Sequence, residues 1–237
     1  MAATDRRVRE TFIELTDTLV TDFNILEFLE RLADRCTELL GVGASGVLLA
    51  DQDGVLDLMA ASTKNARLLV RYQLQNAEGP GLDAYRLGRQ VQRADLADSD
   101  PRWPRFAFAA RAAGFAAVHA LPMRLREQAV GALNLFSAAP GPLDEKTVTL
   151  AQALADAATI GIVHQRALAR QEILARQLQA ALSSRIVIEQ AKGFLAERLG
   201  VSVEAAFATL RSFARDHNRK LADVAAEVID GRLDLAE

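Results

Sequence analysis

From Asp144 to Lys192 the chain runs almost without proline or glycine, and this stretch constrains the possible folds more than any other feature. Leu150, Leu154, Ala157, Ile173, Leu174, Leu178, Ala181, Leu182 and Ile186 recur in it at helical spacing. A single helix of about 50 residues would run about 70 Å at 1.5 Å per residue. No small domain can bury a helix of that length. The spacing therefore predicts either a partner helix in a dimeric coiled coil or a kink near Gly161 or Ser183-Ser184. Arg170 and Gln171 fall near the seam and leave the heptad imperfect.

The chain before this stretch alternates between two periods. Residues 4–20 and 24–40 carry helical apolar spacing, closed by Gly41 and Gly43. GVLLA (46–50), a DQDG turn (51–54) and VLDLMAA (55–61) predict a β-hairpin. A helix over 64–76 is expected to end at Gly79-Pro80-Gly81, and Val91–Leu96 reads as a short strand before a turn at 98–101. FAAVHALPMRL (115–125), an Arg-Glu-Gln tip and AVGALNLF (129–136) predict a second hairpin, and Ala139-Pro140-Gly141-Pro142 breaks the chain. Hairpin strands flanked by helices imply an α+β domain with an antiparallel sheet.

After the long helix the signals are those of a small all-α module. Leu199-Gly200 closes one helix and Ser202 can cap the next. Val203, Ala206, Phe207, Leu210, Phe213 and Ala214 would mark the apolar face of that helix. Asp216-His217-Asn218 turns the chain, and Leu221, Val224, Ala225, Val228 and Ile229 mark a last helix ending at Gly231.

Composition narrows the chemistry. The chain has 237 residues, half apolar and a quarter charged, with 14 glycines and 6 prolines, which describes folded protein with room for two domains. Its net charge of −3 supplies no global basic field, so a nucleic-acid surface would have to be local. The single cysteine, Cys36, excludes a disulfide framework and multi-cysteine metal sites, and it reads as a small buried residue. No metal is expected. MAATDRRVRE lacks the apolar core of a signal peptide, and no apolar run reaches the roughly 18 residues of a membrane span. A soluble cytoplasmic protein without a membrane partner is the expectation.

Enzyme signatures are missing. There is no GxxxxGK loop or HExxH, and His119, His164 and His217 are isolated. Gly43-Ala44-Ser45-Gly46 misses a nucleophile elbow by one position, Asp51 and Asp53 read as an ordinary turn, and His119 reads as a packed histidine. No catalytic residue is predicted and the chain is not expected to be an enzyme.

Positive charge gathers near the C-terminus. Arg211, Arg215, Arg219 and Lys220 lie within ten residues, with Asp216 the only acid among them. Arg211 and Arg215 are four apart, which places both on one helix face, expected to be opposite Phe207 and Leu210. His217 and Asn218 join this corner. Guanidinium groups there suit phosphates and can stack on bases.

The segment 181–229, ALSSRIVIEQAKGFLAERLGVSVEAAFATLRSFARDHNRKLADVAAEVI, resembles the ANTAR domain, an RNA-binding transcription-antitermination module. The resemblance runs through SRxxIxQAKG (184–193), Ala205-Ala206-Phe207, Leu210-Arg211, Ala214-Arg215 and NRKLxDVA (218–225). Ala196 stands where the family usually has methionine. Residues 5–165 resemble a GAF domain of the sort joined to ANTAR modules in actinobacteria, through GxxGVLLAD (43–51), GPGLDAYRLG (79–88), DSDPRWPRF (98–106) and GALNLF (131–136).

These resemblances imply a GAF sensor domain over 1–165, a helical coiled-coil linker over 166–183 and a three-helix ANTAR domain over 184–237. They imply binding of paired RNA stem-loops in a nascent transcript by a homodimer, with Lys192, Arg211, Arg215, Arg219, Lys220 and Asn218 contacting RNA. Ala191 and Ala206 would allow close approach of RNA or close helix packing. A small-molecule or protein signal would act at the GAF domain, with Trp103, Phe106, Phe108 and His119 as candidates to line a ligand pocket. The ligand itself is unknown: the cyclic-nucleotide signature is missing, and one cysteine does not suffice for the redox-active GAF reductases. A dimeric signalling adaptor and a DNA-binding transcription regulator are the alternatives, although no recognition helix with base-reading side chains is evident.

Overall fold

The computed structural model describes residues 6, 9–11, 13, 24–98 and 102–235; most of the helix expected over 4–20 lies outside them. Elements follow in the order α1 (Ile25–Leu40), β1 (Ala44–Ala50), β2 (Leu56–Ala61), α2 (Lys64–Asn76), α3 (Pro80–Leu87), β3 (Val91–Arg93), α4 (Pro104–Ala112), β4 (Ala117–Leu125), β5 (Gln128–Ser137), α5 (Glu145–Leu199), α6 (Val203–Asp216) and α7 (Leu221–Ile229). The chain divides into two compact units between Arg166 and Ala167.

The first unit is an α+β domain around an antiparallel sheet of order β2-β1-β5-β4-β3. Strand alternation sorts its side chains into two layers. Val47, Leu49, Leu121, Met123, Leu133 and Leu135 face α1 and the first turns of α5, where Phe28, Leu32, Leu154, Ala158 and Ile162 complete the layer. Leu48, Val118, Ala120, Ala132 and Phe136 face α2, α3 and α4. Each such leucine or phenylalanine contributes about 1.5–3 kcal/mol by leaving water.

Local chemistry sets the ends of the elements. Asn24 Oδ1 accepts from the Leu26 amide at 3.0 Å and caps α1, and Gly41 closes it in the left-handed region at φ +64°. Asp144 caps α5, its carboxylate accepting from the Thr147 amide at 3.0 Å and the Thr147 hydroxyl at 2.6 Å. The Thr147 hydroxyl and amide together hold the Asp144 carboxyl below the usual carboxylate range. Gly131 passes so close to β1 that a Cβ there would lie 2.1 Å from the Leu48 carbonyl oxygen, so only glycine fits.

Several expectations change in detail. Gly79-Pro80-Gly81, expected as a helix end, also begins α3 with Pro80 in its first turn, and Pro104 begins α4 in the same way. Strand β3 stops at Arg93 instead of Leu96, and the Arg93 side chain donates to the Asp95 carbonyl at 3.1 Å in the turn that follows. Helical hydrogen bonding in α5 continues unbroken through Gly161 and Ser183-Ser184. One glycine costs a helix about 1 kcal/mol, less than the burial of Ala155, Ala158 and Ile162 around it returns. Among the described residues no helix is long and apolar enough to cross a membrane.

In the second unit the end of α5 packs with α6 and α7 around Ala191, Leu195, Ala206, Leu210, Ala214, Val224, Ala225 and Val228, all buried. Toward the start of this unit α5 presents Leu168, Ile173, Leu174, Leu178, Leu182 and Ile186 to solvent, each at least 39 % exposed.

Candidate nucleic-acid interface

The corner between α6 and α7 is built by its caps. Ser202 Oγ accepts from the Ala205 amide at 3.2 Å and starts α6. Ser202 and the backbone amide of Glu204 hold the Glu204 carboxyl below its ordinary range, the amide having the larger effect. At the other end Asn218 takes the left-handed conformation at φ +50°. Its amide bonds to the Arg215 carbonyl at 3.1 Å, and the Arg219 amide bonds to the Ala214 carbonyl at 2.8 Å. This is the Schellman stop, with asparagine in the place glycine usually takes. The His217 ring stacks on Phe213 with centroids 3.9 Å apart. The chain then re-enters a helix at once, with the Lys220 carbonyl accepting from the Asp223 and Val224 amides.

The five expected cations lie in different environments. Arg211 and Lys220 are exposed and make no ion pair among the described residues. Arg215 is exposed, its Nε 3.5 Å from Asp216 Oδ1 and its Nη2 donating to Ser212 Oγ at 3.3 Å. Arg219 donates from Nη2 to Glu227 Oε1 at 2.6 Å, which raises the arginine and lowers the glutamate from their ordinary pKa values. Lys192 Nζ reaches both Glu189 oxygens at 3.0 and 2.9 Å and sits 5.3 Å from the Phe207 ring centroid, with its side chain only 18 % exposed. Arg211 and Lys220 are therefore the open charges, Arg215 is exposed beside its neighbour Asp216, and Lys192 and Arg219 are held by glutamates. Such surface pairs are worth at most about 1 kcal/mol and yield readily to a phosphate.

Ala191 and Ala206 are completely buried between α5 and α6, where their methyl groups permit close helix packing. Phe207 does not lie opposite Arg211 but beside it, one turn away, half-buried under Lys192. Asn218 has a defined task in its backbone, since it turns the chain that presents Arg219 and Lys220. Phe207 and Glu227 are the members of this surface that charge counting overlooks. Spacing does give a signal for Phe207, four residues before Arg211, as it does for the pair of Lys192 with Glu189 three residues earlier.

In the first unit the expected pocket residues do not converge. Trp103 and Phe106 are buried against α3 and the sheet, with Trp103 Nε1 donating to Asp83 at 3.0 Å and Glu78 Oε1 accepting from the Arg105 and Phe106 amides. Phe108, two residues further along α4 and so on its other side, is 76 % exposed. His119 lies on the opposite face of the sheet, its Nε2 accepting from the Leu143 amide at 3.3 Å. Beside Phe106 the layer contains a closed amide network: Gln73 Nε2 donates to Asn134 Oδ1 at 3.3 Å, and Gln73 Oε1 accepts from the Gly81 amide at 2.9 Å.

The residues considered for catalysis have structural tasks. Ser45 is buried and donates to the Ala33 carbonyl at 2.6 Å, and Asp51 Oδ1 accepts from the Asp53 and Val55 amides. Burial pushes the Cys36 thiol up to about 12, which leaves it unreactive. Among the described residues no three His, Cys, Asp or Glu side chains gather to hold a metal ion.

A family model of the GAF domain matches residues 24–163, more than half the chain, and one of the ANTAR domain matches 176–229. The chain is a GAF–ANTAR protein. Its GAF fold is shared with solved structures of low sequence identity. The GAF domain of an Acinetobacter phosphoenolpyruvate-protein phosphotransferase is 15% identical at a TM-score of 0.53, covering 69% of this chain and 97% of its own. The corresponding Coxiella burnetii domain is 18% identical at 0.53, covering 70% and 98%. A free methionine-R-sulfoxide reductase from Neisseria meningitidis, solved with its substrate, is 16% identical at 0.51, covering 68% and 91%. These likenesses are of fold alone. No sequence among curated proteins matches the GAF–ANTAR chain. Both domain families are regulatory: the ANTAR domain makes this an RNA-binding regulator and the GAF domain makes it a sensor.

Proposed function

We propose that this protein is a signal-regulated transcription antiterminator. Its ANTAR domain binds RNA stem-loops in nascent transcripts, and its GAF domain controls that binding. The observation that carries the reading is the corner formed by Arg211, Arg215 and Lys220, three exposed basic side chains on a helical module that matches the ANTAR family over 176–229. Phosphates would meet these three first and then draw Lys192 and Arg219 from their glutamates.

The active species in this reading is a homodimer. Leu168, Leu174, Leu178, Leu182 and Ile186 give α5 an exposed apolar face that no other described residue covers, and a second copy would supply a cover. Two ANTAR domains in one dimer engage two stem-loops, and the second binds at the effective concentration set by the first. RNA held in this way is withheld from the terminator hairpin. Because α5 is one helix from Glu145 to Leu199, a signal at the GAF domain has a continuous element on which to act.

A salt-titrated binding assay with paired stem-loop RNA, scrambled RNA and duplex DNA tests the reading. Preference for the paired stem-loops supports it. Equal binding of all three, with the full chain and with its dimer verified, overturns it.

A further inference from the structure

The GAF domain carries an open cleft of about 690 Å³ on the side of the sheet away from Trp103 and Phe106. Its volume lies within the range of small-molecule sites, about 300–1,000 Å³. Three arginines line it from separate elements: Arg89 just past the end of α3, Arg124 next to the end of β4 and Arg126 in the hairpin tip. None of them forms an ion pair among the described residues, and Asp156 is the only carboxylate in the lining, already accepting from Gln152 Nε2 at 2.8 Å.

The backbone directs these side chains into the cleft. Strand β3 pairs with β4 only as far as Ala120, which leaves the end of β4 as an edge. Gln152 Nε2 occupies that edge by donating to the Pro122 carbonyl at 3.0 Å. The N and O of one strand residue point the same way, so proline's missing donor removes no ladder bond here. A register shift between Met123 and Arg124 then turns the strand, with Arg124 exposed directly after the buried Met123. Arg126 holds φ +57°, a conformation glycine usually takes in a two-residue turn, and its carbonyl accepts from Arg124 Nη1 at 3.2 Å. The floor adds Ile160, 57 % exposed, and the carboxamides of Gln90 and Gln152.

We infer that this cleft binds a small polyphosphate-bearing nucleotide, with its phosphates on Arg89, Arg124 and Arg126 and its ring over Ile160 within reach of the two glutamines. An excess of two positive charges in a protein of net charge −3 selects a ligand of at least two negative charges. A nucleoside di- or triphosphate meets that requirement, and a singly charged phosphodiester does not. The inference is independent of what the ANTAR domain binds.

Fluorescence titration of the full chain with a ribose-labelled ATP, competed by unlabelled ATP, provides the test. Saturable binding is expected, weakened at least about tenfold by the Arg124→Ser/Arg126→Ser pair and unchanged by Arg211→Ala/Arg215→Ala. Both cleft arginines are exposed, and circular dichroism verifies that the variant is folded. Absence of binding at about 1 mM ligand, binding indifferent to the cleft pair, or loss of binding in the ANTAR pair would each overturn the assignment.

Discussion

Arg219 and Glu227 are joined across the α6–α7 corner at 2.6 Å, so a cation of the basic corner is neutralised by a carboxylate of the next helix. Removing that carboxylate tests whether the pair competes with RNA. Glu227→Gln is expected to tighten RNA binding about two- to fivefold at low salt and to steepen the salt slope by about one. Salt-titrated fluorescence anisotropy reads both. Because Glu227 is held below its ordinary value, the pair's support of the fold is complete above that ordinary value and is lost as pH falls through the lowered one. The same variant should therefore flatten the acid side of the stability profile.

The exposed arginines of α6 should behave differently from the cations held by glutamates. Arg211→Ala/Arg215→Ala is expected to weaken RNA binding about tenfold or more near physiological salt and to reduce the salt slope by about two. Sedimentation of the protein itself should be unchanged. Lys192→Ala should do less to the salt slope, since that ammonium already faces Glu189, and more to local order, since its stem covers Phe207.

Enlarging a buried alanine should damage the ANTAR core without touching its charge. Ala206→Leu forces extra methylenes between α5 and α6 and is expected to destabilise the module by about 1–3 kcal/mol. Hydrogen exchange in the full chain should accelerate over α6 and α7 and remain unchanged in the β-sheet.

Dimerisation should depend on the exposed face of α5. Leu174→Asp/Leu178→Asp is expected to give monomers by analytical ultracentrifugation, with the content of folded GAF domain unchanged. Binding to a single stem-loop should persist while the gain from pairing two of them disappears.

His119 predicts a pH dependence near neutrality. Burial lowers its pKa from the ordinary 6.5, and Nε2 can accept from the Leu143 amide only while unprotonated. The unfolded chain takes up the proton first, so stability is present above 6.5 and declines as pH falls below it. Melting at pH 7.5 and 5.5 should show the loss, and His119→Gln should reduce it.

Periodicity made the elements of this chain legible, and turns concealed the rest. The long helix, both hairpins, the helix after Asn24 and the helix capped by Ser202 follow from apolar spacing and, for Ser202, cap chemistry, which act within a few residues. Strand order, with β5 between β1 and β4, depends on pairing far along the chain and has no local mark. Pro80 looks like a break because a proline that ends one segment also suits the first turn of the next. In the basic corner the residue types and their clustering were plain from the sequence. The pair of Lys192 with Glu189 follows from a spacing of three, but that of Arg219 with Glu227 does not, since Glu227 lies eight residues away and meets it only once α7 has folded back.

Trp103 is the only tryptophan in the chain, and it is buried with its indole nitrogen on Asp83. Intrinsic fluorescence of this protein is thus a one-site optical probe of the seam between α3 and α4. A red shift on adding an effector would show that seam opening to water, without a label and without RNA present.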